Sequence, residues 1–174
     1  YSNLLTSLDV STNTALTNLR CYSNQLTSLD VSGSTALTDL NCLYNQLTSL
    51  DVSQNTALNY LNCNQNQLTS LDLSQNTALI SLDCGINQLT SLDVRNGNNN
   101  LLDSNFYCYS NPNLYCIDVD DVVWSDTNWT VSNGNIDSTM SFSTNCATAF
   151  GCLDPLACNY DSIATISDGS CNYP

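Results

Sequence analysis

The hydrophobic positions of this chain recur at a fixed spacing along most of its length. Four consecutive segments, each 21 residues after the last, begin at the leucines Leu16, Leu37, Leu58 and Leu79. The first segment reads LTNLRCYSNQLTSLDVSGSTA. Within it, the runs N-L-R-C-Y (18–22) and S-L-D-V-S (28–32) alternate polar and apolar residues, which is the period-two pattern of strands. A repeat of this length predicts a solenoid with one turn of chain per repeat.

Because each repeat holds two strand-like runs, the sequence predicts two narrow parallel sheets on opposite sides of a flattened coil. Apolar side chains would then stack on their counterparts one turn away, about 4.8 Å distant. An asparagine recurs at the first corner of each turn, and an amide offers two donors and an acceptor. We therefore expect a buried ladder that bonds the corner backbone, formed by Asn24, Asn45, Asn66 and Asn87.

The two halves of each repeat share one motif. The first half reads L-x-x-L-x-C-x-x-N-x and the second L-x-x-L-x-V-x-x-(N/S)-x-A. Together they resemble the short 21-residue bacterial class of leucine-rich repeats, and the resemblance covers residues 1 to about 119. It implies a mainly β leucine-rich-repeat solenoid over 1–119. Tyr1 aligns with Tyr22, so we expect the chain to begin inside a repeat, as an N-terminally truncated fragment.

The charge balance excludes several classes of function. All sixteen acidic residues are aspartate, the only cations are Arg20 and Arg95, and the net charge is −14. Such a chain does not bind nucleic-acid phosphate or dock on an anionic membrane. The sequence contains no run of about 18 apolar residues, so it does not predict a membrane-spanning helix. The chain has no His, Glu or Lys to act as a general base, so we predict that it is not an enzyme.

The ten cysteines form two groups. Five occupy the inward position of successive turns, and we expect free thiols there because parallel in-register strands give poor disulfide geometry; they are Cys21, Cys42, Cys63, Cys84 and Cys108. Five more lie in the last third and suggest disulfides formed in an oxidising compartment; they are Cys116, Cys146, Cys152, Cys158 and Cys171.

The repeat ends in a segment that we expect to cap the solenoid. The stretch 96–100 is a turn-rich insertion, one degenerate turn follows it, and residues 120–150 leave the pattern. Apolar residues of this segment would cover the open end; they are Val122, Val123, Trp124, Trp129, Ile136, Met140 and Phe142. It resembles the C-terminal cap of secreted bacterial surface proteins, and that resemblance implies a Cys116–Cys146 disulfide.

Residues 151–174 form a third unit. The pattern G-C-x-D-P-x-A-C-N-Y…D-G-S-C resembles a short cysteine module of large secreted bacterial proteins. A unit this small needs disulfides or metal to fold. We favour a Cys158–Cys171 disulfide, and a pairing through Cys152 stays open as the alternative.

Two sets of oxygen ligands are candidate Ca²⁺ sites. One is a column of aspartates on the outward side of the second run, at Asp30, Asp51, Asp72 and Asp93. Unit charges 4.8 Å apart repel by about 0.9 kcal/mol in water, so the alternatives are Ca²⁺ binding and a solvated acidic stripe. The other set lies in the cysteine module, where local turn chemistry is an equal explanation; it is Asp154, Asn159, Asp161 and Asp168.

The outward side of the first run varies from turn to turn, which suits either recognition or drift on a solvent-exposed face. Our candidates for contact are Tyr22, Leu43, Tyr44 and Tyr60. Two short motifs also resemble bacterial O-glycosylation sites, at Ser138 and Ser162.

The sequence as a whole predicts an adhesion or ligand-binding repeat protein, secreted to or beyond the surface of a Gram-negative-type bacterium. Its partner would be a protein or glycan on a surface, or copies of itself. The alternatives are a structural subunit of an extracellular filament or surface assembly, and an ice-binding solenoid that uses Thr27, Thr48, Thr69 and Thr90.

Overall fold

The computed structural model describes residues 3–102 and 105–173 and shows a coil of short parallel strands closed by a cap. Its strands are β1 Asn18–Arg20, β2 Asp39–Asn41, β3 Tyr60–Asn62, β4 Ser70–Asp72, β5 Ser81–Asp83, β6 Ser91–Asp93, β7 Phe106–Tyr107, β8 Cys116–Asp118, β9 Ser141–Ser143, β10 Phe150–Gly151 and β11 Ile166–Ser167. Its helices are α1 Asn99–Leu102, α2 Val122–Asn128 and a 3₁₀ turn at Cys146–Thr148. None of the described helices is long and apolar enough to cross a membrane.

The first run of each repeat builds a continuous parallel sheet, which we call the first sheet. Its strand order is β1-β2-β3-β5-β7. Leu19 pairs with Leu40 and Leu40 with Leu61, so equivalent residues of successive repeats lie side by side. The expectation that one repeat closes one turn is therefore confirmed on this side of the coil.

The second run departs from the predicted sheet in the early repeats. The second sheet has the order β4-β6-β8-β9 and begins at Ser70. Residues 28–31 and 49–52 are not strands, and no described backbone hydrogen bond joins them to each other or to 70–73. In these early turns, the described backbone hydrogen bonds therefore join neighbouring repeats only on the side of the first sheet and its flanking corners. The predicted strand at 28–32 was wrong, although Leu29 and Val31 are buried as expected.

The core is a stack of apolar side chains closed at its corners by asparagines. Asn45 shows the bonding: its Oδ1 accepts from Leu26 N at 3.0 Å, and its Nδ2 donates to the carbonyls of Cys21 and Cys42 at 3.1 and 3.0 Å. Asn111 joins the predicted set, and we call the five residues the corner ladder: Asn24, Asn45, Asn66, Asn87 and Asn111. A second buried set at the opposite corner was not predicted; it comprises Ser34, Asn55, Asn76 and Asn96.

The cap seals the end of the coil with aromatic rings. Trp129 is fully buried and stacks on Phe106, the last inward residue of the first sheet, with ring centroids 4.0 Å apart. Phe142 of β9 packs at 5.8 Å from the same indole. Two details differ from expectation: Val123 is exposed, because it points away from the coil on α2, and the insertion at 96–100 leads into the short helix α1.

Two disulfides tie down the C-terminal third. Cys116 is joined to Cys146, the pair that the resemblance implies. In the small module Cys152 is joined to Cys171, so the favoured Cys158–Cys171 pairing was wrong and Cys158 is an exposed free thiol. The parallel pair β10–β11 and the Cys152–Tyr160 bridge place Cys152, rather than Cys158, inside the module.

Candidate ligand-binding face

The two sides of the coil present different chemistry to solvent. The outward positions of the second run carry a column of carboxylates, which we call the acidic column: Asp9, Asp30, Asp51, Asp72, Asp93 and Asp118. The strand register confirms the stacking where the second sheet exists, since Asp72 lies beside Asp93 and Asp93 beside Asp118.

Local hydrogen bonds stabilise the charge of these carboxylates. Asp30 Oδ1 accepts from the hydroxyl of Ser32 at 2.7 Å and from its backbone N–H at 2.9 Å. These two bonds lower the pKa of Asp30, and they outweigh the opposing effect of the neighbouring Asp9 charge. The same two-residue turn lowers the pKa of Asp9 and Asp51. Mutual repulsion along the column is therefore offset within each turn.

Arg95 is the cation at the C-terminal end of the acidic column. Its Nε donates to Asp93 Oδ1 at 3.0 Å, its NH1 donates to the Thr144 carbonyl at 2.8 Å, and NH1 lies 3.7 Å from Asp118 Oδ1. Burial raises the pKa of Asp93, but the hydrogen bonds and charge of Arg95 together lower it further than burial raises it. Arg95 thus links the last regular repeat to the cap.

The predicted Ca²⁺ ligands do not gather into one shell in the described structure. Among described residues, no group of three or more His, Cys, Asp or Glu could hold a metal ion. In the cysteine module, Asp154 accepts from Tyr173 Oη at 2.6 Å and Asn159 bonds both Ser170 and Asn172. Asp161 and Asp168 each accept from the backbone N–H two residues on. The contacts of Asp161 and Asp168 are the local turn chemistry that was the alternative explanation, whereas those of Asp154 and Asn159 join distant parts of the module.

Open slots lie between neighbouring early turns beside the acidic column. One has a volume of about 410 Å³ and is lined by Ser49, Leu50, Asp51, Ser53, Ser70 and Asp72. A similar slot of about 320 Å³ lies one turn earlier. The repetition of the slot follows from the repeat itself, and each is lined by Ser and Asp with one Leu.

The outward face of the first sheet has varied side chains on a rigid backbone. Of the predicted contact residues, Tyr22, Leu43 and Tyr60 belong to this face and are half-buried. Tyr44 does not: it sits at the corner with a φ of 56° and is 59% exposed. The left-handed backbone of each corner turns that position away from the strand, so Tyr44 is corrected to a corner residue.

Sequence reasoning missed the most ordered cluster of this face. Asn64 Nδ2 donates to Asp83 Oδ1 at 2.7 Å and to Tyr109 Oη at 3.2 Å. Tyr109 lies in the degenerate turn, where extra residues break the 21-residue spacing. It directly follows the inward Cys108, as Tyr22 follows Cys21, and counting from the cysteine would have placed it on this face.

The inward cysteines form a column of unreactive thiols, which we call the cysteine ladder: Cys21, Cys42, Cys63, Cys84 and Cys108. Burial raises the pKa of Cys21 to about 11 and that of the other four well above the ordinary thiol value. A thiol kept protonated inside the core is neither a nucleophile nor a metal ligand. The ladder is therefore part of the packing.

Comparisons with known proteins agree with this architecture. No family model matches the chain, and no curated protein matches it. Among solved structures, it is similar to the functional domain of InlJ from Listeria monocytogenes, a domain described as including a cysteine ladder. The two share 47% sequence identity at a TM-score of 0.52, over 67% of this chain. The match spans 23% of that chain, so this sequence corresponds to less than a quarter of its length. The fold is a mainly β leucine-rich-repeat solenoid.

Proposed function

We propose that this protein is a non-catalytic, extracellular repeat protein that binds a surface ligand through the outward face of the first sheet, in an adhesive role. The observation that carries the proposal is the contrast between the two sides of the coil. The second run presents the same Ser and Asp in every repeat, whereas the first run presents Tyr, Asn, Asp, Leu and Gly in changing order. A varied surface on a regular, hydrogen-bonded sheet is the usual recognition surface of solenoids.

Several features support an extracellular location. The two disulfides persist in oxidising compartments, and the structural relative is a bacterial protein with a ladder of the same kind. Location at or beyond the surface of a Gram-negative-type bacterium, as the cysteine module suggests, is part of the proposal. Glycosylation of Ser138 and Ser162 is also proposed; both residues are exposed, and the intact mass of secreted protein tests it.

The test is binding to an array that holds both bacterial or host surface proteins and glycans. The folded protein is compared with a variant that replaces Tyr60, a half-buried residue of the first sheet, by alanine. A matched variant replaces Tyr115, which is 50% exposed beside β8 of the second sheet. We expect Tyr60→Ala to weaken the signal and Tyr115→Ala to leave it unchanged. Equal loss in both variants, or no ligand on the whole array, would contradict the proposal.

A structural subunit of an extracellular filament or surface assembly is the second candidate, since the stacked repeats of a solenoid extend in one dimension. Light scattering distinguishes the two candidates: concentration-dependent polymers favour assembly, and a monodisperse monomer favours ligand binding.

Calcium binding stays a proposal on the acidic column and on the module residues Asp154, Asn159, Asp161 and Asp168. The chain has a net charge of −14, and a bound divalent ion would reduce the repulsion among its carboxylates. A ligand that binds only the folded state raises the melting temperature. We expect a higher Tm in millimolar Ca²⁺ than in chelator; identical values would exclude a stabilising ion.

A further inference from the structure

The Tyr109 ring is held across the surface of the first sheet, above Gly85. A Cβ placed on Gly85 would lie 2.9 Å from Asn64 Nδ2 and 3.1 and 3.2 Å from Cζ and Cε1 of this ring, so the amide and the ring together occupy the space that a side chain would fill. At its far end the phenol accepts a hydrogen bond from Asn64 Nδ2. Asn64 is itself 95% buried, with 5% of its surface exposed, so the anchor does not move freely. Tyr109 as a whole is half-buried, so part of its surface is exposed to solvent.

Polar groups surround this ring at the spacing of neighbouring strands. Asp83 Oδ1 accepts from Asn64 Nδ2 and from Gly85 N, and no described hydrogen bond engages Oδ2. Tyr107, which is 36% exposed, pairs in register with Asp83, and Asn62 pairs with Asp83 on its other side. The exposed part of Tyr109 therefore lies on a sheet face that also carries carboxylate, amide and phenol groups, which can exchange hydrogen bonds with a ligand.

The charge of this face differs from that of the molecule. The outward positions of the first sheet carry Arg20, Asp39 and Asp83 and no other charged residue, a net charge of −1 on a chain of net charge −14. Long-range repulsion from the acidic column disfavours anionic ligands. The near-neutral face with a flat aromatic ring and hydrogen-bonding neighbours suits a ligand that is uncharged, flat on one side and hydroxylated at its rim.

We propose that this face binds a neutral oligosaccharide, with the C–H face of one sugar ring stacked on Tyr109 and its hydroxyls bonded to Asp83 and Asn62. The inference rests on the proposed function, because it names the class of ligand for the same face. Tyr109 is the stacking residue, and Gly85 and Asn64 are positioning residues that hold its ring flat.

The probes are three neutral tetrasaccharides, cellotetraose, maltotetraose and tetra-N-acetylchitotetraose, titrated calorimetrically to about 10 mM against the folded chain. We expect at least one to bind, and Tyr109→Ala to weaken it about tenfold through loss of the stacking surface. Gly85→Ala should also weaken binding, because its methyl group would lie 2.9 Å from Asn64 Nδ2 and 3.1 Å from Tyr109 Cζ, so the anchor and the ring must both shift. Gly85 has no positive φ, so this change strains no backbone. Tyr115→Ala is the matched control and should bind as the parent does.

Each other outcome contradicts the inference. Binding that survives both Tyr109→Ala and Gly85→Ala would place the ligand elsewhere, and no binding of any probe would exclude a neutral glycan. Should Tyr109→Ala not fold, as judged by circular dichroism, the Gly85→Ala variant and Tyr109→Phe, which keeps the ring, decide the question. The protein and glycan array distinguishes failure of this inference from failure of the proposed function. If the array shows a protein ligand whose binding is lost in Tyr60→Ala, and no oligosaccharide binds, the glycan proposal is refuted and the proposed binding role stands.

Discussion

Replacing one thiol of the cysteine ladder should make the protein less stable at neutral pH and more resistant to alkali. In Cys63→Ala the core loses a fully buried sulfur, and a cavity of this size costs about 1 kcal/mol. The alkaline effect has the opposite sign. The pKa of Cys63 is raised well above its ordinary value of 9.0, first by burial and then by the neighbouring Cys84.

The sign and size follow from linkage. A group whose pKa is higher in the folded state contributes stability that is complete below pH 9 and is lost as pH rises toward the folded value. Above pH 9 the unfolded chain releases the proton and the folded chain does not, so each such thiol costs about 1.4 kcal/mol per pH unit. The other ladder thiols, whose pKa values burial also raises, add to this loss, so the parent should become less stable as the pH rises above 9.

The assay is urea unfolding at pH 7 to 10.5, followed by circular dichroism. Both proteins carry Cys158→Ala, because the exposed Cys158 thiolate would otherwise attack the disulfides at high pH. We expect the plot of unfolding free energy against pH to be shallower for Cys63→Ala by about 1.4 kcal/mol per unit above pH 9, so that the two curves cross near pH 10. Parallel curves would refute the reasoning, since they would mean that the ladder thiol ionises equally in both states.

Three further predictions test other parts of the structure. Asn66→Ala should cost about 1–3 kcal/mol, because it leaves the buried Leu47 N unpaired and removes one of the two side-chain donors to each of the Cys42 and Cys63 carbonyls. Asn55→Ala should cost less, since no described group bonds its Oδ1. Equal losses in urea unfolding would contradict this ranking, and the exposed Gln54→Ala is the control. Arg95→Gln should lower the Tm, and the loss should shrink at high salt, because the change removes the ionic contacts to Asp93 and Asp118; a salt-independent loss would assign the effect to packing. Folding lowers the pKa values of four aspartates, Asp9, Asp30, Asp51 and Asp93, so the stability that they contribute is present above pH 4 and lost below it. The free energy of unfolding should therefore fall as the pH drops below about 4. A rise there would show that relief of repulsion along the acidic column dominates.

The solenoid could be predicted from the sequence because its repeat is periodic and its contacts are local. Each turn contacts only its neighbours, so an offset of 21 residues in sequence becomes a fixed neighbour in space, as with Leu40 and Leu61. The inward cysteines from Cys21 to Cys84 and the corner asparagines from Asn24 to Asn87 follow from that offset alone. Even the relief of the acidic column could be anticipated, because an aspartate followed two residues later by serine forms a local turn.

Other features depend on contacts that no spacing encodes. The second sheet begins only at Ser70, although the two preceding repeats carry the same S-L-D run at 28–30 and 49–51. The choice of Cys152 rather than Cys158 as the partner of Cys171 depends on how two short strands place the chain within the module.

The candidate site shows the division most clearly. The sequence determined which residues face outward on the first sheet, since alternation along a strand assigns each side chain to one face. Only the tertiary structure decided that Tyr109 reaches across Gly85 to Asn64, two repeats away. That contact needs a glycine, a long side chain and a buried amide on three different turns. The sequence could not reveal it, because no local pattern records how side chains of different turns pack together.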